Sequence, residues 1–351
     1  MTIKYGDISP RTAAFVVRDL LKRGMPWLVF EKFGQSKPLP ANSTKTIQFR
    51  RYYLDSTFTS TFGSDFNPHE YFKGTNFDPA NKMLTEGVTP DATAIESSDY
   101  EASLVQYGDR VVISDVVLDT HEDPILREAV DILGEQAAVL IEKTRYNVLK
   151  AGTNVFYSNG TTRASVNTTF SLLDQRKVTR FLKRQLGKQI TSMVKSTPAY
   201  GTESIAPSFV CIVHPDLEPD LRAITGFVPV EKYGSMSPWE NEIGKIEDVR
   251  YISSTIIEPF LGGGAASGTA VLETSSKADV YPMIFLARDA YGIVAFKGKN
   301  ALTPMVVNPT PTDSDPLAQR GHVGWKGYSA TIILNDFWMA RVETAVSDLS
   351  A

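Results

Sequence analysis

A chain of 351 residues with 42% hydrophobic and 22% charged residues is long enough for about two or three globular units and too apolar for global disorder. Its longest apolar runs, such as residues 209–213, are far shorter than the roughly 20 residues of a membrane-spanning helix, and its first residues show no secretory signal. The one cysteine, Cys211, excludes an intramolecular disulfide and a C-x-x-C metal motif. These features predict a soluble protein made in a reducing cytoplasm.

Charge is distributed unevenly along the chain, although the formal net charge is only −4. Residues 1–51 carry ten basic and three acidic residues, a local charge of +7, whereas residues 54–135 carry four basic and seventeen acidic residues, a local charge of −13. Two solvated faces of one globule would account for this pattern. Alternatively, a basic arm meets an acidic region of a neighbouring copy, because opposed charges set the register between partners.

The first forty residues have the pattern of an arm rather than of a compact domain. Ser9 and Pro10 form a helix-start signal, and Gly24 and Pro26 end the segment. Between them, apolar side chains recur at helical spacing: Ala13, Val16, Val17, Leu20 and Leu21. A single amphipathic helix on a proline-containing tether is expected to bury its apolar face against another element.

A β-hairpin with a long excursion is predicted next. Residues 45–54 form a β-rich run, and a second run covers residues 100–106, followed by a turn at 107–109 and a further strand at 110–114. Residues 57–83 are rich in Gly, Asn, Asp and Ser and lack periodicity. This segment is longer than the roughly 12–15 residues of ordinary structureless loops, which indicates a functional projection.

The clearest element is a long helix. Asp123 and Pro124 supply a cap and a first-turn proline, no further proline follows before Ala151, and Gly152 is a natural stop. Apolar residues form one stripe at i, i+3, i+4 and i+7 spacing: Leu126, Ala129, Val130, Leu133, Ala137, Leu140, Ile141 and Val148. Such a helix would be on the order of 40 Å long, so it needs a large surface to lie across.

A second helix is predicted at residues 172–186, within a strongly basic segment. Residues 174–195 carry seven basic residues and one acidic residue. Phosphate binding would suit such a density of positive charge, but the chain as a whole is acidic, with a pI near 5.7. We therefore favour ion pairing between domains or subunits, and sequence-specific recognition of nucleic acid is not expected.

The rest of the chain mixes strands and helices without regular alternation. Residues 209–213, which include Cys211, have the pattern of a buried strand, and residues 217–224 have that of a short helix. Further strands are predicted at residues 249–253, 269–273, 284–286, 293–296, 321–325, 328–334 and 339–346. This mixture is typical of an α+β fold rather than of a doubly wound parallel sheet.

Residues capable of catalysis or metal binding lack the spacing that such sites need. The chain has four histidines, none of which belongs to an H-x-x-x-H pair: His69, His121, His214 and His322. Residues 121–123 are best explained as a helix start, and the glycine-rich stretch 262–268 has neither dinucleotide-binding nor P-loop spacing. A buried Cys211 would be inert. We predict no catalytic residue, no metal site and no cofactor, and therefore no enzymatic activity.

Several stretches, taken in order, resemble the major capsid proteins of tailed bacteriophages, and more narrowly the N4-like major capsid family. The resemblance covers nearly the whole chain and is carried by these segments: Lys45–Tyr52, Thr85–Pro90, Gln106–Asp109, the long helix from Asp123, Phe209–Pro215, Asp220–Arg222, Asp315–Gly321 and Val323–Lys326. Residues 58–83 depart from the family pattern and are interpreted as an insertion.

The resemblance implies the Hong Kong phage capsid fold, with five parts along the chain: an N-arm (1–43), an extended E-loop hairpin with the insertion (44–118), a P-domain with the long spine helix (119–205), an axial A-domain (206–317) and a return to the P-domain (318–351). It implies a major capsid protein, made in the host cytoplasm, that self-assembles as pentamers and hexamers into the icosahedral head of the virion around double-stranded DNA. Expected partners besides the chain itself are scaffold, portal and decoration proteins. Contact with DNA would be non-specific, and no membrane partner is expected.

On this hypothesis, charged side chains of the arm, the hairpin and the helix start make assembly contacts: Arg11, Arg18, Lys22, Arg23, Arg50, Arg51, Glu86, Asp123 and Arg127. The basic residues of the arm and hairpin would dock on acidic residues of an adjacent copy. Two other classes remain open, namely a nucleic-acid-binding protein that uses residues 174–195 and a hydrolase with an unrecognised site. Another virion structural protein, such as a tail or decoration protein, is a closer alternative, but the long helix counts against it.

Overall fold

The computed structural model describes the following residues: 28–37, 45–54, 67–90, 92–115, 125–195, 201–233, 238–266, 270–294, 303–307, 311, 316–317 and 319–349. Only the backbone is described for residues 125–127, 192–195, 201–206 and 303–304. The helix predicted at the start of the chain lies outside the described residues, and so do four of the proposed arm contacts and the helix-start acid: Arg11, Arg18, Lys22, Arg23 and Asp123.

Helices and strands are mixed along the described chain, as expected for an α+β fold. The α-helices are α1 (Pro68–Tyr71), α2 (Ile125–Leu149), α3 (Leu172–Arg184) and α4 (Glu218–Ala223). The short 3-10 helices are Phe30–Lys32, Thr75–Phe77, Pro79–Lys82, Arg163–Ser165, Pro215–Leu217, Val230–Lys232 and Asp336–Trp338. The strands are β1 (Gln35–Lys37), β2 (Thr46–Leu54), β3 (Ile95–Ser103), β4 (Val105–Ser114), β5 (Val155–Tyr157), β6 (Ile190–Lys195), β7 (Gly201–Val213), β8 (Phe227–Pro229), β9 (Glu242–Ile246), β10 (Val249–Ser253), β11 (Glu273–Thr274), β12 (Lys277–Ala278), β13 (Tyr281–Leu286), β14 (Tyr291–Val294), β15 (Thr303–Val307), β16 (Arg320–Ser329), β17 (Thr331–Ile333) and β18 (Met339–Thr344).

An eight-stranded sheet forms the centre of the molecule, in the order β5-β18-β13-β7-β10-β9-β8, with β6 paired to β7. Strand β7 lies antiparallel to β13 and parallel to β10. Its central run alternates between two hydrophobic clusters, with Phe209, Cys211 and Val213 in one and Val210 and Ile212 in the other. Because apolar layers cover both faces of the sheet, this run is continuously hydrophobic, and the prediction of a buried strand is confirmed.

The long helix α2 joins this sheet to a second one. It contributes four buried side chains to the cluster with the three-stranded sheet β15-β16-β4: Val130, Leu133, Ala137 and Ile141. Further along the helix, Tyr146 and Leu149 pack in one of the two clusters of the central sheet. The helix has 25 residues, so it is about 38 Å long. The predicted helix and its need for a large packing surface are both confirmed.

The beginning of the described chain is anchored to α2 by one buried carboxylate. Glu142 accepts hydrogen bonds from the backbone N–H groups of Val29, at 2.6 Å, and Phe30. Its other oxygen accepts a hydrogen bond from Arg145 at 3.0 Å, and Arg145 lies 3.6 Å from Glu31. Burial raises the pKa of Glu142, while the Arg145 charge and the N–H group of Phe30 act in the opposite direction. The chain that enters from the amino terminus is thereby fixed to the middle of the helix.

Strands β2 and β3 form a two-stranded antiparallel ribbon, in register from Thr46 opposite Ser103 to Leu54 opposite Ile95. Its base belongs to a separate hydrophobic cluster: Ile47, Phe49, Ala102, Leu104, Val294, Ala330 and Leu334. An isolated two-stranded ribbon is only marginally stable in water. The cluster at its base therefore stabilises the predicted hairpin, while the opposite end projects from the core.

Two local predictions are wrong. The turn expected at residues 107–109 is the middle of the unbroken strand β4, where Gly108 lies opposite Lys326. A Cβ atom at Gly108 would lie 2.7 Å from the carbonyl oxygen of Trp325, so this glycine permits a close approach of strands instead of a turn. The strand expected at residues 269–273 is reduced to β11, which begins at the last of these residues.

Candidate assembly surfaces

The excursion between β2 and β3 is folded where the structure describes it. Asn67 caps α1, and the N–H group of Leu54 donates to the Tyr71 hydroxyl at 2.7 Å, which ties the excursion to the end of the ribbon. The rings of Tyr71, Phe72 and Phe77 pack edge to face, with centroids 4.9–5.2 Å apart. The segment predicted to be loop-like therefore has a small aromatic core of its own.

Residues 83–88 lie further along the excursion and expose apolar side chains. Met83, Leu84 and Val88 are 80%, 76% and 63% exposed. Glu86, between them, is also exposed. Single exposed apolar residues are common on soluble proteins, whereas three within six residues make this segment a candidate interaction surface. We call residues 83–88 the tip.

Both hairpin arginines already have contacts within their own chain. The guanidinium group of Arg50 donates two hydrogen bonds to the carboxylate of Asp99 across the ribbon, at 2.7 and 2.9 Å. This pair raises the pKa of Arg50 and lowers that of Asp99. The guanidinium carbon of Arg51 lies 5.0 Å from the ring centroid of Trp338 and 5.8 Å from that of Tyr100. The assembly roles of Arg50 and Arg51 stay predictions.

Reversal of Arg50 alone should weaken the ribbon whether or not it contacts a neighbour. In Arg50→Glu two carboxylates face each other across the strands, which is unfavourable. We expect proteolysis within residues 46–103 to become faster, and the exchanged pair Arg50→Asp with Asp99→Arg to restore the original rate. If the exchanged pair resists proteolysis but forms no shells, the position also contacts a neighbour. Equal proteolysis of Arg50→Glu and the unmodified chain would contradict a structural role for this ion pair.

The three-stranded sheet leaves the face opposite α2 uncovered in the described part of the chain. This face carries Arg110 and Lys326, both exposed and without an ion-pair partner among the described residues. Three neighbouring apolar side chains are 39–56% exposed: Val112, Met305 and Val307. The one carboxylate in these three strands belongs to Asp109. It lies on the other face of the sheet, where it accepts a hydrogen bond from Gln136 of α2 at 2.6 Å. We call the uncovered surface the basic sheet face.

The basic segment around α3 is partly neutralised inside the chain. Three intrachain ion pairs are formed: Arg176 with Glu247, Lys177 with Asp174, and Lys183 with Asp248. The other basic side chains described in this segment are exposed and have no ion-pair partner in the part of the chain that the structure describes: Arg180, Arg184 and Lys188. Of the six basic side chains that the structure describes in this segment, three are therefore neutralised within the chain and three are not.

The structure describes the two remaining residues predicted to make assembly contacts, Glu86 and Arg127, to different extents. Glu86 lies on the exposed tip. Arg127 lies in the first turn of α2, and its side chain is outside the described atoms. The sequence reasoning missed the two cations of the basic sheet face, Arg110 and Lys326. Strand alternation alone gives no signal for them, because only the pairing of β4 with β16 brings the two residues to one face.

Two side chains with reactive chemistry, Cys211 and His214, have contacts within the fold. Burial raises the pKa of the Cys211 thiol, which lies in the central sheet. Burial lowers the pKa of His214, although Asp216 acts in the opposite direction, and its Nδ1 atom accepts the N–H group of Asp216. No group of three His, Cys, Asp or Glu side chains among the described residues could hold a metal ion. None of the described helices is both long and apolar enough to cross a membrane.

Solved structures of phage capsids share this fold. The capsid of Ralstonia phage GP4 is 13% identical with a TM-score of 0.59, covering 90% of this chain and 88% of that chain. The head of Helicobacter pylori bacteriophage KHP40 is 10% identical with a TM-score of 0.58, covering 89% and 87%. The capsid asymmetric unit of Cyanophage Pam1 is 11% identical with a TM-score of 0.58, covering 93% of each. These likenesses confirm the predicted α+β phage capsid fold.

Sequence comparison identifies the family directly. No curated protein matches the chain in sequence. The model of the family described as phage capsid protein matches residues 99–342, which is more than two thirds of the chain and includes α2, the three-stranded sheet and the central sheet up to the last residues of β18. The family is one of structural proteins, and the chain belongs to it: it is a phage capsid protein.

Proposed function

We propose that this chain is the major capsid protein of a tailed bacteriophage and that it self-assembles as pentamers and hexamers into the icosahedral head that encloses the double-stranded DNA genome. The observation that carries the proposal is the tip. An apolar surface at the end of a ribbon, outside every hydrophobic cluster of the described chain, is unfavourable for a monomer. It becomes favourable when a neighbouring copy covers it.

The tip and the basic sheet face have complementary chemistry. The tip combines three apolar side chains with Glu86, while the sheet face combines three apolar side chains with Arg110 and Lys326. Both surfaces are exposed in the single chain, so neither covers the other. A contact between them would therefore be made between two copies. Because each subunit would take part in several such contacts, modest interfaces become strong collectively.

We further propose that the chain belongs to the N4-like major capsid family and that the parts of its fold take the roles that this family implies. Helix α2 would be the spine of the P-domain (119–205), which the return segment (318–351) completes. The ribbon and its excursion would be the E-loop (44–118). The A-domain (206–317) would contain most of the central sheet. Residues 1–43 would be the N-arm. Scaffold, portal and decoration proteins are the further partners that such an assembly would need.

A nucleic-acid-binding protein is the second candidate, favoured by the three unneutralised cations Arg180, Arg184 and Lys188. Three cations supply only weak, salt-sensitive affinity for phosphates. We therefore expect the unassembled protein to leave immobilised duplex DNA below about 0.2 M salt. Retention well above this concentration, with loss of retention in a variant in which all three are alanine, would favour this second function.

Sedimentation velocity of the purified chain at increasing concentration tests the proposal. We expect the monomer to convert cooperatively into rings of five or six copies and into closed shells, either alone or after addition of the other head proteins of the same phage. A chain that stays monomeric under both conditions would contradict the proposed function.

A further inference from the structure

The N-terminal half of α2 presents two carboxylates and an apolar side chain on one surface. Glu128 is exposed, Asp131 is half-buried and Ile132 is 56% exposed. The three positions lie within about 100° of one another around the helix axis. Neither carboxylate has an ion-pair partner among the described residues. We call this surface the acidic α2 face.

Helix α3 presents a surface of the opposite charge. Arg180 and Arg184 are exposed and have no ion-pair partner in the described part of the chain, whereas the nearby cations Arg176 and Lys177 are neutralised within the chain. Leu173 is 64% exposed. It lies within about 40° of the two unpaired arginines around the helix axis, so the three side chains share one surface. We call this surface the basic α3 face.

The central sheet separates these two faces within one chain. Val178 and Leu182, on the buried side of α3, pack in the hydrophobic cluster on one side of the sheet. Tyr146 and Leu149 of α2 pack in the cluster on the other side. The basic α3 face lies on the side of its helix that is turned away from the sheet, and therefore away from α2. A contact between the two faces must join two copies of the chain.

The two faces match in charge, in spacing and in apolar content. The two carboxylates of the acidic α2 face are about 4.5 Å apart along their helix, and the two arginines of the basic α3 face are about 6 Å apart along theirs. Two helices that lie side by side can therefore form two ion pairs at once. If the helices are antiparallel, Ile132 and Leu173 lie at the same end of the contact, where they can cover one another.

We propose that the acidic α2 face of one copy binds the basic α3 face of the next copy around a capsomer. The inference deepens the proposed function and rests on it for the rings of five and six copies. Each copy offers a different face to each of its two neighbours, so the contact is heterologous, and a heterologous contact that closes on itself generates a ring. The unpaired arginines of α3 thus bind a second copy rather than nucleic acid.

Reversing the charges of each face in a separate variant tests the contact. One variant carries Arg180→Glu and Arg184→Glu, and the other carries Glu128→Arg and Asp131→Arg. In either variant alone, like charges meet at every contact. In an equal mixture the charges are complementary wherever the two variants alternate, which a ring of six permits and a ring of five does not. A single chain with all four substitutions is complementary at every contact.

We expect each variant alone to need at least about tenfold more protein than the unmodified chain to form rings in sedimentation velocity, because like charges replace two ion pairs at each contact. The mixture should recover rings of six but not of five, and the chain with all four substitutions should recover both. As a matched control, Lys232→Glu with Lys277→Glu changes the net charge as much as the arginine variant does, at other exposed positions. This control should form rings normally.

Normal rings from either variant alone would overturn the proposal, and so would failure of both the mixture and the chain with four substitutions to recover rings. Equal loss of rings in the control would also contradict it, because the effect would then follow from net charge alone. These outcomes leave the proposed function intact, since each is judged against the rings of the unmodified chain, which test that function separately.

Discussion

Replacing Met83, Leu84 and Val88 together by serine should abolish shell assembly while leaving the free energy of unfolding unchanged to within about 0.5 kcal/mol. All three side chains are at least 63% exposed in the single chain, so their loss removes little burial on folding. In a shell the same side chains would be covered, and polar replacements would lose that burial. Sedimentation measures assembly, and urea unfolding measures stability.

A matched triple variant controls for the general effect of surface polarity. Leu261, Leu317 and Leu349 are 66%, 75% and 74% exposed but are scattered along the chain. Replacing these three by serine should leave assembly essentially unchanged, since isolated exposed apolar residues are common on soluble proteins. Normal shells from the tip variant, or equal loss of shells from both triple variants, would contradict the role given to the tip.

The second large effect is expected at Glu142, the buried carboxylate that fixes the amino-terminal chain to α2. Glu142→Ala removes the nearer of the two carboxylates beside the buried Arg145, leaving only Glu31 at 3.6 Å, and removes the acceptor for two backbone N–H groups. Breaking a buried ion pair in this way costs about 3–5 kcal/mol of stability. We expect a loss of this size in urea unfolding, and faster proteolysis near Val29 because the amino-terminal chain is released from α2.

The adjacent residue provides the control for this anchor variant. Lys143 pairs with Glu258 at 2.7 Å, but both side chains are at least half exposed. Exposed pairs contribute less than about 1 kcal/mol, so Lys143→Ala should change stability far less than Glu142→Ala. Similar losses from the two variants would show that the buried carboxylate does not anchor the chain.

Local sequence patterns were sufficient to predict the elements in which apolar residues recur with a strong periodicity. The apolar stripe predicted for α2, from Ala129 to Val148, is buried or half-buried at every position, whereas Ile132, which lies outside the stripe, is exposed. The run 209–213 is apolar at every position because both faces of its sheet are covered. In such segments the burial of side chains and the spacing of the sequence have the same cause, so the sequence alone predicts them.

Other features depend on contacts between residues that are distant in the chain. Gly108 carries the same local signal as a turn glycine, and only its partner strand β16 shows that it permits close strand approach. Glu142 and Arg145 are charged residues within a helix, a pattern typical of exposure, yet both are buried because they bind one another and the amino-terminal chain. The tip lies in an aperiodic segment, so its apolar residues gave no pattern to interpret.

The same limit applies to the assembly residues. Arg50 was selected from the sequence for its charge, but the register of the ribbon places it opposite Asp99. Arg110 and Lys326 were not selected because 216 positions separate them, and only the pairing of β4 with β16 brings them to one face. Charge composition therefore predicted that surfaces of opposite sign exist, while the topology decides which residues form them.

Electron cryomicroscopy of particles assembled from this chain tests the central claim most directly. The account predicts closed icosahedral shells with five-fold and six-fold capsomers, whose density fits the chain in every subunit and shows the tip of one copy covered by another. Particles that assemble without this chain in their shell, or shells in which the tip stays uncovered in every subunit, would contradict it.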